Sequence, residues 1–144
     1  MKKLLLTTLL TGSLLLTACQ ADVMKSADAK KNLEGQSYTV EVYGFEEAKS
    51  RIQNLNYEGA NFTDAIYAEK GKDDAADLFI AFFFKNIEDA EAFVEGHDSE
   101  NLAKMNTYVD THLGKDLEKR VGMHNNVAYL GSQTSFVAAF PDAL

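Results

Sequence analysis

Residues 77–84 read DLFIAFFF, seven apolar residues in a row behind a single aspartate. A run of this length suits a strand rather than a helix, and it has no polar side to turn toward water. Side chains alternate along a strand, so both faces here must be buried in the core or in an interface. Leu78, Ile80, Phe82 and Phe84 share one side, and Phe79 and Phe83 share the other. The first set is expected to meet helices. The second set, with Tyr43 nearby, makes an apolar face that a terminal helix or the N-terminal tether covers. Left open, that face would take an apolar ligand, a peptide or a second copy of the chain.

The segments around this run mix two periods. SYTVEVY (37–43) alternates as a strand, and EEAKSRIQNL (46–55) spaces Ala48, Ile52 and Leu55 as a helix does. NFTDAIYAEK (61–70) is a second strand, followed by a GKDDA turn in which Gly71 suits a positive φ. Asn86 is placed to cap a helix in IEDAEAFVEG. Ser99 caps another, striped by Leu102, Met105, Val109 and Leu113 and closed by Gly114. Beyond the charged KDLEKR (115–120), NNVAYLG is a turn and short strand. SQTSFVAAF is a helix capped by Ser132.

This order, β-α-β-β-α-β with a short C-terminal helix, predicts an α+β domain of the ferredoxin-like split βαβ type. Its antiparallel sheet would carry helices on one face, with residues 37–43 and 77–84 in the middle. One domain suits 144 residues, and 46% hydrophobic residues suit a packed core.

The N-terminus follows a different logic. Lys2 and Lys3 precede an apolar stretch, Leu4 to Leu16, and small residues Thr17 and Ala18 lead to Cys19, the only cysteine. A positive head, an apolar core shorter than a membrane span and a small-residue exit form an export signal. An exported chain with one cysteine cannot close an internal disulfide, so the thiol needs another purpose. Leu16-Thr17-Ala18-Cys19 resembles the lipobox of bacterial lipoproteins. That resemblance implies a diacylglyceryl group on Cys19 and cleavage before it. Residues 1–18 would be the signal peptide, 19–34 the lipidated cysteine with a flexible polar tether, and 35–144 the domain. A lipid of two or three acyl chains anchors stably. The location implied is the outer face of the cell membrane, or the outer membrane of a two-membrane bacterium.

Charge narrows the partners. Fourteen basic and twenty-two acidic residues leave −8, and without Lys2 and Lys3 the balance is −10. Such a surface repels phosphate backbones, which excludes nucleic acid as a partner. His97, His112 and His124, with Asp98, Glu100 and Asp110, are candidate metal or acid–base groups, but their spacing matches no ligand motif. Asp73, Asp74 and Asp77 fall short of a calcium loop because Ala75 takes a ligand position, which leaves a solvated hairpin tip. No P-loop, dinucleotide fingerprint, nucleophile elbow or zinc-protease motif is present, so no cofactor, metal or catalytic residue is assigned.

The sequence therefore reads as a lipid-anchored envelope protein whose domain binds a protein, a peptide or an apolar ligand. The alternative is an envelope enzyme or metal-binding accessory built on His97, His112 or His124. A third reading is an inhibitor or immunity-type module.

Overall fold

The computed structural model describes residues 23–95 and 100–144. Helix α1 (Ser26–Gly35) leads into β1 (Thr39–Gly44), α2 (Phe45–Arg51) and β2 (Asp64–Lys70). A 3-10 turn (Asp73–Ala75) joins β2 to β3 (Asp77–Phe83). Helices α3 (Ile87–Glu95) and α4 (Glu100–His112) follow, then β4 (Lys119–His124), β5 (Val127–Ser132) and α5 (Gln133–Ala139). The fold is α+β, with one open five-stranded sheet ordered β1-β2-β3-β5-β4 and every pair antiparallel.

The strand order differs from the ferredoxin-like one. In that arrangement 37–43 would sit in the middle. Here β1 is an edge and only β3 holds the centre, between β2 and β5. The hairpin of β4 and β5 folds back so that β5 pairs with β3, and β4 becomes the other edge. KDLEKR and its neighbours hide that edge strand. In KRVGMH the hydrophobic residues that pack against the core are Val121 and Met123, while the other face carries Arg120, Gly122 and His124, which do not read as an apolar stripe.

Helices cover both faces, not one. Against Leu78, Ile80 and Phe82 lie Ala48 and Ile52 of the α2 segment, Ala90, Phe93 and Val94 of α3, and Met105 and Val109 of α4. Phe62, Phe82, Phe84 and Phe93 form an aromatic cluster there, with ring centroids 5.0 to 6.4 Å apart. Against Phe79, Ala81 and Phe83 lie Ala29 and Leu33 of α1 and Phe136, Ala139 and Phe140 at α5.

Phe79 and Phe83 are 0% and 2% exposed, so the face they form is closed by the terminal helix and by α1. Helix α1 occupies residues that the sequence reads as a polar tether. Tyr43 does not join them. It pairs with Ala65, which pairs with Phe82, so the register sets Tyr43 on the opposite face.

Several local signals act as their chemistry requires. The Asn86 side chain accepts from Asp89 N at 2.8 Å, satisfying a free donor of α3's first turn. Ser132 and Ser135 form a reciprocal capping box at the head of α5. The Ser135 hydroxyl also donates to the Leu78 carbonyl at 3.1 Å, which ties the helix to the central strand. Ser132→Ala is expected to cost about 1 kcal/mol, the usual worth of a cap, read as a shift in urea midpoint at constant slope. Among the described residues no helix is long and apolar enough to cross a membrane.

Candidate functional site

With both sheet faces closed, the features able to meet a partner lie at the strand ends and between the helices. One of these is a groove of about 570 Å³ between α1 and α5, lined by Asn32 and Gln36 on one wall and Gln133, Thr134 and Val137 on the other, with Tyr38 and Lys70 also lining it. Lys70 and Asp77 face each other across β2 and β3. Asp77 is 7% exposed, and the Tyr38 hydroxyl donates to its Oδ2 at 2.6 Å. Its Oδ1 has no hydrogen-bond partner among the described residues. Lys70 does not close on Asp77. Its ammonium donates to the Gln36 carbonyl at 2.8 Å and lies 5.3 Å from the centre of the Tyr38 ring.

On the other side of Gln133, Arg120 projects from β4 over α5. Its guanidinium sits 3.9 Å above the Phe136 ring. Nη1 donates to Gln133 Oε1 at 2.7 Å, and Nε donates to the Tyr129 hydroxyl at 3.2 Å. None of the ion pairs among the described residues includes Arg120. The stacked ring and two hydrogen bonds hold the planar fork in one orientation. The remaining N–H groups can meet a carboxylate in two-point fashion. Gln133 thus links the groove wall to a pre-oriented cation, with Lys70 three strands away from Arg120 on the other side.

The two histidines among the described residues, His112 and His124, do not assemble. His112 stacks on Tyr108 with centroids 4.1 Å apart, and its Nδ1 lies 2.8 Å from the Tyr108 carbonyl oxygen, on α4. His124 packs against Phe136 and Phe140, on the face opposite to α4. His97 and Asp98 lie outside the described residues. No group of three potential metal ligands occurs among the described residues. Of the residues named from sequence, Phe79 and Phe83 belong to the core beneath α5, and Tyr43 to the core beneath α2. Cys19 lies outside the described residues.

Two asparagines tie the domain together at buried positions. Asn126, 0% exposed, accepts from Met24 N at 2.7 Å and donates to Met24 O at 3.0 Å and Phe84 O at 2.8 Å. Asn101 does the same for the loop after α2. It accepts from Asn56 N at 2.9 Å and donates to Asn56 O at 2.8 Å and Phe93 O at 3.1 Å.

Burial raises the phenol of Tyr38 well above the usual range, and its hydrogen bond to Asp77 and that group's charge add to the effect. Burial likewise raises Tyr57 and Tyr67 and pushes Tyr43 and Tyr108 up to about 12, with Glu41 contributing at Tyr43. Raised phenols favour the fold fully below pH 10, the unfolded value. That contribution fades as pH climbs through the folded values. Between pH 10 and 12 the native protein should show less tyrosinate absorbance than the same chain in urea. The urea midpoint should fall steadily across that window, and a flat midpoint would contradict the assignment.

Compared with known proteins, the chain matches no family model, no curated protein and no solved structure.

Proposed function

We propose that the chain is a lipid-anchored protein of the bacterial cell envelope, exported by a signal peptide and held by lipid on Cys19, whose α+β domain works by binding rather than by catalysis. The observation that carries this reading is Leu16-Thr17-Ala18-Cys19 at the exit of an apolar run headed by Lys2 and Lys3. The protein sits on the outer face of the cell membrane, or on the outer membrane where there are two. The bound partner is a protein or peptide that places a carboxylate against Arg120 and lays its chain into the α1–α5 groove. An oriented arginine outside every described ion pair supports that choice.

The test joins the two halves. Intact mass of the membrane-extracted protein should show cleavage before Cys19 and a lipid increment, and Cys19→Ser should abolish both. Cross-linking in whole cells should then yield a partner adduct that Arg120→Ala removes and Arg120→Lys restores only in part, because lysine lacks the planar fork. Unchanged capture by the Arg120→Ala protein would sink the groove assignment.

A further inference from the structure

The anchor enters the domain at a definite place. Met24 is clasped by Asn126, whose amide also holds the Phe84 carbonyl, so the incoming chain is fixed where β3 ends and β5 begins. Ser26 donates to Asp64, the first residue of β2, at the same end of the sheet. Only three residues separate Cys19 from Val23. Four Cα steps of ~3.8 Å each keep the lipidated residue within about 15 Å of Val23, whatever path the chain takes.

The surface at this end differs from the opposite one. Four large apolar side chains stand well exposed among the described residues: Val23 at 49%, Val42 at 40%, Ile87 at 41% and Leu144 at 80%. Val23 adjoins the Asn126 clasp, and Ile87 comes three residues after Phe84, which the clasp also holds. Val42 is two residues from the end of β1 that pairs with Asp64. Leu144 follows Ala143, which lines the same hollow as Val23 and Met24. All four belong to the half of the domain nearest the anchor. Exposed Lys25 and Lys85 stand among them, long enough to keep their ammonium groups at head-group level while the aliphatic neighbours go deeper. Carboxylates of Glu46, Glu47, Asp64, Glu88, Asp89 and Asp142 share this end, so apolar contact and the lipid anchor, working against charge repulsion, are the driving terms.

We infer that this end of the sheet rests on the lipid surface, with Val23 and Ile87 in the head-group–acyl boundary. The rim of Lys70, Gln133 and Arg120 then points away from the membrane, one strand length higher. This rests on the lipid anchor at Cys19 and adds an orientation to it. The partner groove faces outward, where a soluble or envelope-spanning protein can reach it.

The chain contains no tryptophan, which permits a direct test. Ile87→Trp and, at the far hairpin, Lys72→Trp each introduce a single probe at an exposed position. The full-length lipidated proteins are extracted and reconstituted into vesicles of phosphatidylethanolamine and phosphatidylglycerol bearing brominated acyl chains. The probe at position 87 should lose most of its emission and shift to the blue, and the probe at 72 should keep both intensity and wavelength. Equal, unquenched emission from the two positions in protein that floats with the vesicles and carries the lipid mass overturns the orientation and leaves the anchor standing. A protein that neither floats nor carries lipid mass overturns both.

Discussion

A chain lacking Ser26–Gly35 should fail to give a cooperative thermal transition. Helix α1 buries Ala29 and Leu33 completely, and in doing so keeps Tyr38, Ile66 and Ala68 from water. Burial of one leucine alone is worth roughly 1.5–3 kcal/mol. Removing the helix also uncovers the apolar groups beneath it and strands the Asn32 side chain's bond to the Ala139 carbonyl. The combined loss is on the order of 5–10 kcal/mol, which is comparable to the whole stability of a domain this size. Circular dichroism melts and dye-binding assays on the truncated chain would read it, with Leu33→Ala as a milder companion costing about 2–5 kcal/mol. A truncated chain that melts within a few degrees of the intact one would show that α1 is a dispensable cover.

The second large effect is expected at Gly131, opposite Phe79 at one end of the β3–β5 pairing. A Cβ there would lie 2.3 Å from the Leu78 carbonyl oxygen, 2.9 Å from Ser135 Oγ and 3.1 Å from Phe79 Cα. Two of these three are backbone atoms of the central strand, which cannot step aside without breaking the ladder. Gly131→Ala should therefore cost about 3 kcal/mol or more, a loss of about 10 °C in Tm. Gly35→Ala is the control, because nothing lies within 4 Å of its built Cβ and α1 ends there. That change should stay within about 1 kcal/mol, on the stabilising side. Equal melting temperatures for the two variants would mean that β3 and β5 part more easily than the packing indicates.

Much of the architecture could be read from residue order because its causes are local. The run 77–84 could only be a strand buried on both sides, and it is the centre of the sheet. Asn86 and Ser132 cap helices for reasons contained within four residues of chain. What escaped is non-local or thinly marked. Helix α1 buries one Ala and one Leu, four apart, because it lies against a sheet face shared with α5. A two-residue stripe in a polar segment looks like a tether. The edge strand β4 carries only two apolar core residues, Val121 and Met123, and its other core contacts come from Arg120 and His124. Strand order depends on which long-range pairing closes best, and no pattern within a strand encodes that choice.

The candidate site was less legible still. Tyr38 and Asp77 stand 39 positions apart, and Arg120 and Gln133 stand 13 apart, so neither pair is a motif. A hint existed in the single aspartate heading an otherwise apolar strand. Its meaning appears only once Tyr38 is set above it.

The Asn126 clasp also determines how the domain bears a mechanical load. Tension arriving from the N-terminal side passes through the Met24 backbone into one side chain, and from there to the Phe84 carbonyl just past β3 and to the start of β5. Pulling therefore acts on the interior strands, where both neighbours share the force, instead of peeling β1 or β4 from an edge one bond at a time. A domain pulled from its N-terminal side in this way resists as a block.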